Sequence, residues 1–176
     1  NTDVYQCIVC GASIRVPHYT KVKQIMEAKS GSYHGAIIVF LGILAVVGVH
    51  ARAVSAFNGT GWIEVFVKEE GRFVHVDLIR KLVDEPLAYD TEKPGYIKYA
   101  VAVGANECVD VTGRYVHNMR ETIATRGQKL NEEWFQKMIS FRNNVAMGSI
   151  PNIERSNLRR MQKADLLSIA EHISSV

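Results

Sequence analysis

Two small groups of side chains in this sequence are of types that do chemistry in proteins. The first group is Cys7 and Cys10, which are separated by two residues, as in half of a structural zinc site. Tetrahedral zinc takes four ligands, so this pair supplies only part of a set. His18 is a further candidate ligand. The alternative interpretation is that both cysteines are reduced thiols in a turn that ends at Gly11.

The second group is His75 and Asp77, which lie two residues apart on a predicted strand and therefore share one of its faces. A histidine beside a carboxylate is the pairing that general-base catalysis uses. We nevertheless interpret His75 as a half-buried structural residue. The remaining thiol, Cys108, lies in a late strand and is predicted to be a small core residue.

Hydrophobic periodicity predicts the elements that must position these residues. Residues 5–19 are expected to be irregular, and a helix is expected over 21–29. After Ser30-Gly31-Ser32 an almost wholly apolar helix is predicted over 33–47, buried because it is apolar on every side. Further predictions are strands over 52–57, 62–67, 73–78, 97–103 and 108–111, and helices over 117–125, over 132–141 and after Pro151. This order indicates an α+β fold.

Composition is that of an ordinary globular domain: 176 residues, 47% hydrophobic, 22% charged and a net charge of +3. That charge is too small to indicate nucleic-acid binding by itself. The longest apolar run, 36–49, is shorter than a membrane-spanning helix requires, so no membrane span is expected. Three cysteines without a disulfide-dense pattern fit a reducing compartment. Asn58-Gly59 favours a hairpin turn.

Several short motifs, in their order and spacing, resemble cytosolic peptide:N-glycanase, a member of the transglutaminase-like superfamily that removes N-glycans from misfolded glycoproteins. The resemblance runs from Tyr5 to about Tyr115 and more loosely to the end. It implies a papain/transglutaminase-like core, in which a buried central helix packs on an antiparallel sheet, with C-terminal helices. The motifs are Cys7-x-x-Cys10, Val16-Pro17-His18-Tyr19, Gly48-Val49-His50-Ala51-Arg52, Asp84-Glu85-Pro86-Leu87 with Tyr89, and Asp110-Val111-Thr112-Gly113-Arg114-Tyr115.

The resemblance also assigns catalytic positions, because the family uses a cysteine nucleophile, a histidine base and an orienting carboxylate. Pairing without gaps places Asp77 on the carboxylate, Thr60 where the histidine belongs and Tyr33 where the nucleophile belongs. Threonine is no base near neutral pH, and tyrosine, with a pKa near 10, is a poor substitute for a thiolate. We therefore expect a transglutaminase-like fold without a working triad.

Three hypotheses for function follow. The first is a pseudoenzyme that acts as a binding or scaffold subunit, with membership of a larger assembly as one option. The second is an active peptide-N4-(N-acetyl-beta-glucosaminyl)asparagine amidase with shifted residues, for example Ser30 and His75. The third is a relative of the xeroderma pigmentosum group C damage-recognition family, motivated by the basic cluster Arg155, Arg159, Arg160 and Lys163. A solvated helix face is the favoured interpretation of that cluster, so nucleic acid is not an expected partner.

The expected organisation has three segments: a zinc-site remnant with a leading helix (1–29), the transglutaminase-like core (30–116) and a helical segment (117–176). By the resemblance, the C-terminal helices are expected to hold a ubiquitin-receptor shuttle protein or other protein subunits, unless they pack on their own core. A misfolded glycoprotein is expected as substrate if the chain is active. Structural zinc is expected only if further ligands come from outside this chain, and no other cofactor is implied. The expected location is the cytoplasm, with the nucleus as the alternative.

Overall fold

The computed structural model describes residues 2–127 and 130–175 as a mixed arrangement of helices and antiparallel sheet. Its strands are β1 Thr2–Gln6, β2 Ser13–Pro17, β3 Ala51–Ala56, β4 Gly61–Val67, β5 Arg72–Asp77, β6 Leu82–Val83, β7 Ala100–Val103 and β8 Cys108–Asp110. Its α-helices are α1 Val22–Ala28, α2 Tyr33–Val46, α3 Ala88–Glu92, α4 Met119–Arg126, α5 Glu132–Gly148 and α6 Asn152–Ser175, and a short 3-10 helix spans Thr112–Arg114. The expected α+β class is confirmed.

The main sheet has six strands in the order β6-β5-β4-β3-β7-β8, and all of its pairings are antiparallel. The predicted turn at Asn58-Gly59 joins β3 to β4, and Gly59 adopts the left-handed φ of 90° that glycine accommodates best. The turn closes where the Ala56 amide donates to the Thr60 carbonyl at 2.9 Å. It thereby fixes the register that pairs Ala53 with Ile63.

The core lies between this sheet and the segments that follow it. Trp62 on β4 is its largest fully buried side chain, and its ring lies 4.5 Å from that of Tyr89 and 4.6 Å from that of Tyr115, centroid to centroid. A second cluster forms where Phe135 of α5 packs against β7 and β8, and Cys108 belongs to it. The predicted core position of Cys108 is therefore confirmed.

Five charged side chains are buried in the same region. Arg52 on β3 contacts Glu64, Glu107 and Asp165, and Arg114 contacts Glu64 and Asp165. Burying charges is costly unless they are paired, and each of these groups has an oppositely charged partner. Because Asp165 belongs to α6, the network ties the C-terminal helix to the sheet.

The apolar helix α2 differs from its prediction. Its range agrees closely with 33–47, and it packs on β3 and β4, but only Gly35 and Ile37 on it are buried. Val46 is 89% exposed, so the expectation of a helix buried on every side was wrong. The reason is geometric: the sheet and α1 each cover only part of the surface of α2, and its end around Val46 stays exposed.

Other differences are local. Residues 5–19 were expected to be irregular, yet β1 and β2 form a hairpin whose register pairs Tyr5 with Ile14. The strand β6 and the helix α3 were missed within a predicted loop, and α5 runs beyond the expected end at 141. The division of the chain at 29/30 and 116/117 stays a prediction.

Within the described ranges, no single helix is long and apolar enough to cross a membrane. The pair α1 and α2 passes the length and composition criteria only when taken together, and the two helices are bent by 108°.

Candidate functional site

Tyr33, Thr60 and Asp77 line one cavity of about 510 Å³. Three elements bring them together: Tyr33 is the first residue of α2, Thr60 precedes β4 and Asp77 ends β5. Helix α2 begins cleanly because the Ser32 hydroxyl accepts a hydrogen bond from the Gly35 amide at 3.2 Å. The structure thus gathers the three positions that the sequence singled out.

The Asp77 carboxylate is buried, and both of its oxygens accept hydrogen bonds. Its Oδ1 accepts hydrogen bonds from the backbone amides of Ile79 and Arg80, at 2.9 and 3.0 Å. Its Oδ2 accepts one from the Tyr89 hydroxyl at 2.7 Å. In a hydrolytic triad a carboxylate would instead accept a hydrogen bond from an imidazole N–H. Here tyrosine takes that place.

Tyr33 fills the position expected for the nucleophile. Its hydroxyl donates to the Gly61 carbonyl and lies 3.5 Å from Asp77 Oδ2. Partial burial and the negative charge of Asp77 raise the pKa of Tyr33 to about 12. The phenol therefore stays protonated near neutral pH and is a poor nucleophile.

Thr60 occupies the position expected for the base, and its side chain is engaged locally. Its Oγ1 donates to Asn58 Oδ1 at 2.6 Å, and its backbone amide donates to the same oxygen at 3.0 Å. These two bonds belong to the β3–β4 turn. Thr60 therefore shapes the turn and offers no basic group to the cavity.

His75 lies behind the cavity rather than in it. Its side chain is buried, and its Nε2 lies 3.0 Å from the Tyr89 hydroxyl, which separates it from Asp77. Burial lowers the pKa of His75 to about 4, so the ring is neutral at physiological pH. The structural role predicted for His75 agrees with this position.

The sequence did not identify most of the remaining lining residues. Tyr89 stood within a recognised motif, but its contact with Asp77 could not be read from the chain. Arg80 pairs with Glu92 at the rim, and its guanidinium lies 4.8 Å from the centre of the Tyr89 ring. The other lining residues are His34, Gly59, Lys93 and Tyr96. Their spacing carries no common period, because they come from separate loops and helix ends.

Ser30, the alternative nucleophile, lies elsewhere. It lines a different cavity, between α1 and α2, together with Ile25 and Met26. Since His75 is buried behind Tyr89, the structure does not bring Ser30 and His75 together in one site. The described contacts therefore give no support to a shifted Ser30–His75 pair, which stays a hypothesis.

Cys7 and Cys10 lie in the exposed turn of the β1–β2 hairpin. Backbone amides of Cys10 and Val9 lower the pKa of the Cys7 thiol, which favours the thiolate that metals bind. Among the described residues, no group of three or more His, Cys, Asp or Glu side chains could hold a metal ion. The described residues therefore do not complete a four-ligand zinc site.

The cavity around Asp77 is lined by three tyrosines, Tyr33, Tyr89 and Tyr96, and by the charged side chains Arg80, Glu92 and Lys93. Its tyrosines and charged rim can bind a ligand through ring faces and hydrogen bonds. In the described residues that line it, there is neither a thiol nor an imidazole hydrogen-bonded to Asp77. The described lining groups therefore do not form a thiol–imidazole–carboxylate set around Asp77.

Residues 58–159 match the family model described as the Rad4 transglutaminase-like domain. The match covers more than half of the chain and takes in β4 through the first part of α6. The chain belongs to this family. Membership confirms both the transglutaminase-like fold and the superfamily to which the resemblance pointed.

Proteins with the glycanase name are among the curated relatives of this Rad4-type domain. The chain is 30% identical over 121 residues to the peptide-N(4)-(N-acetyl-beta-glucosaminyl)asparagine amidase of Caenorhabditis briggsae, covering 69% of this chain and 20% of the relative. It is 32% identical over 114 residues to protein png-1 of Neurospora crassa, covering 65% and 28%. The amidase of Mus musculus is 27% identical over 158 residues, covering 90% and 24%. The chain thus spans less than a third of these relatives.

Solved structures show the same fold. A crystal structure of Rad4-Rad23 bound to a 6-4 photoproduct UV lesion superposes with a TM-score of 0.62 and 17% identity, covering 88% of this chain and 36% of that chain. Rad4-Rad23 crosslinked to undamaged DNA gives a TM-score of 0.54 at 18% identity, covering 81% and 36%. At these identities the likeness is one of fold.

Proposed function

We propose that this Rad4-type transglutaminase-like domain is a peptide:N-glycanase-like pseudoenzyme that acts as a binding or scaffold subunit. The observation that carries the proposal is the state of Asp77. Its carboxylate is satisfied by Tyr89 and two backbone amides, with Tyr33 beside it. A papain-like mechanism needs an imidazole at that carboxylate and a thiolate beside the imidazole.

A deglycosylation assay tests the loss of chemistry. The purified chain, with zinc supplied, is incubated with a denatured N-glycoprotein, and the mass of the glycoprotein is followed. We expect no release of glycan by the wild-type chain or by Asp77→Asn. Release that depends on Asp77, and that survives in the exposed control Asp3→Asn, would instead establish the active amidase acting on misfolded glycoproteins.

The scaffold role requires a surface for a partner. On α5, Trp134, Phe141 and Val145 are 56%, 66% and 58% exposed and recur at helical spacing, while Phe135 on the same helix is buried. Such a stripe is a candidate protein-binding surface. The partner we propose for it is a ubiquitin-receptor shuttle protein or another subunit of a cytoplasmic assembly.

Binding of a purified shuttle protein, measured by calorimetry, tests this assignment. We expect Trp134→Ala and Phe141→Ala each to weaken binding about tenfold or more, since exposed aromatic anchors dominate interfaces. Ile153→Ala, a change at an exposed apolar residue on α6, serves as the matched control. Equal affinity for all variants would exclude the α5 stripe as the interface.

The role proposed for zinc is limited to the hairpin. If two ligands are supplied by a segment or partner outside this chain, Cys7 and Cys10 would hold a structural zinc with them.

A DNA-binding role, as in the Rad4 structures, has weaker support. Arg155 donates to the carbonyls of Met147 and Ile150 and so helps to end α5. The exposed charges that remain in the cluster on α6 are Arg159, Arg160 and Lys163. Duplex binding that falls steeply with salt would favour this role over the scaffold.

A further inference from the structure

A second polar cavity, of about 440 Å³, lies between α3 and the start of α4. Asp90, Thr91 and His117 are among its lining residues, and none of them lines the cavity around Asp77. Asp90 and Thr91 are adjacent on α3, and His117 lies 26 residues beyond Thr91, just before α4. A carboxylate, a hydroxyl and an imidazole therefore meet at one place that neither the motifs nor the family assign to catalysis.

Asp90 is held rigidly and is buried. Its Oδ1 accepts a hydrogen bond from the Gly95 amide at 2.8 Å, and its Oδ2 accepts one from the His117 amide at 2.9 Å. These donors, together with the His117 side chain, outweigh the effect of burial and lower the pKa of Asp90. The group is consequently a carboxylate at neutral pH.

The same Oδ2 lies 3.0 Å from His117 Nδ1. Because a carboxylate only accepts, Nδ1 carries the proton in this contact, and Nε2 of the neutral ring is then free to act as an acceptor. Nε2 lies 3.5 Å from the Thr91 hydroxyl oxygen. Hydroxyl, imidazole and carboxylate thus stand in the order of a hydrolytic triad, with a nucleophile–base distance at the long end of what a ligand-free site shows.

We propose that Thr91, His117 and Asp90 form a second reactive site, an esterase for small acyl esters. Thr91 Oγ attacks the ester carbonyl carbon while His117 Nε2 takes the hydroxyl proton. The ester C–O bond breaks, the leaving alkoxide takes that proton as the alcohol departs, and the acyl group remains on Thr91. Water then attacks the acyl carbonyl, again giving a proton to Nε2, and Thr91 recovers its proton as the carboxylic acid leaves.

The surroundings of these three groups include a cation and are open to water. Lys98 lines the cavity, and its ammonium group uses one of its three protons on the Thr125 hydroxyl, at 2.8 Å. The two remaining N–H groups of Lys98 can donate hydrogen bonds to an acyl oxygen of the substrate. The His117 side chain is 43% exposed, so the site is open to water and suits esters with good leaving groups more than amides.

Hydrolysis of p-nitrophenyl acetate by the complete chain tests the proposal. We expect a rate at least about 100-fold above that of the same concentration of 4-methylimidazole, the usual minimum for a positioned base. Thr91→Ala and His117→Gln should each abolish this excess, Asp90→Asn should reduce it, and Thr91→Ser should keep it. The exposed matched control Thr20→Ala should leave the rate unchanged.

Mass spectrometry of the peptide that contains Thr91, after rapid acid quench, should find the acetyl group on its hydroxyl. Circular dichroism of every variant confirms that the fold is kept, which is expected for Thr91 because its side chain is exposed. A rate no higher than free imidazole would overturn the proposal. So would a His117-dependent rate that Thr91→Ala leaves intact, since the imidazole would then attack the ester directly.

Discussion

The Asp165 carboxylate accepts a hydrogen bond from the Arg52 guanidinium at 2.6 Å, although 113 residues separate them in the chain. Both side chains are fully buried. Arg52 stands on β3 of the main sheet and Asp165 on the last helix, so this contact joins the sheet to α6. Glu64 and Arg114 complete the ring of charges around it.

Removal of Asp165 should therefore destabilise the whole domain. In Asp165→Ala two buried guanidinium groups lose a partner, and we expect a loss of about 3–5 kcal/mol in the free energy of unfolding. Urea denaturation followed by circular dichroism measures it. Glu171→Ala, at an exposed position of the same helix, should change stability by less than about 0.5 kcal/mol. Similar values for the two variants would contradict the network.

A second prediction follows from the orientation of α2 on the sheet. Ile37 is 6% exposed and packs towards the sheet, whereas Val46 is 89% exposed. Ile37→Ala should cost about 2–4 kcal/mol because it leaves a cavity, and Val46→Ala should cost less than about 0.5 kcal/mol. Thermal or urea unfolding distinguishes the two. A large loss for Val46→Ala would mean that the outer face of α2 is covered.

His75 should make stability depend on pH in a defined window. Its pKa in the folded protein is about 4, below the ordinary 6.5, so the unfolded chain binds more protons between these values. Acidification therefore favours unfolding: the contribution is complete above pH 6.5 and is lost progressively down to about pH 4, by about 3 kcal/mol in total.

Measurement of the free energy of unfolding at several pH values, for the wild type and for His75→Gln, isolates this contribution. The variant should lose less stability than the wild type between pH 6.5 and 4. An identical loss in His75→Gln would show that other groups cause it.

The pairing of Tyr33 and Thr60 with the catalytic positions can be tested by restoring chemistry. In Tyr33→Cys the introduced thiol stands at the first position of α2, with the charge of Asp77 nearby. Adding Thr60→His should lower its pKa by about one unit or more, because a neighbouring imidazolium favours the thiolate. The pH dependence of alkylation at residue 33, followed by mass spectrometry, measures the change.

The matched control for that experiment is Tyr33→Cys with Thr60→Gln, which adds a side chain without a basic group. Its thiol should titrate as in the single variant. If the histidine variant titrates like the glutamine variant, positions 33 and 60 do not face each other as the catalytic pair of the family would.

Sequence alone determined the class of fold and most of its elements. The strands around Trp62 and His75 alternate strongly, Asn58-Gly59 marks their turn, and the motif order identifies the superfamily. It also placed Tyr33, Thr60 and Asp77 at related positions, and these residues do line one cavity. Local patterns suffice for such features because strand period and turn preference act over a few residues.

Only the tertiary structure decided what surrounds each helix and each side chain of the candidate sites. Whether the apolar helix α2 is covered depends on what packs against it, which periodicity cannot tell. The hydrogen bond from Tyr89 to Asp77 joins residues 12 apart in the chain. The contact between Thr91 and His117 joins residues 26 apart. Arg52 and Asp165 pair only when the last helix docks. Hydrogen bonds and ion pairs between distant segments require exact distances, and those distances exist only after the chain has folded.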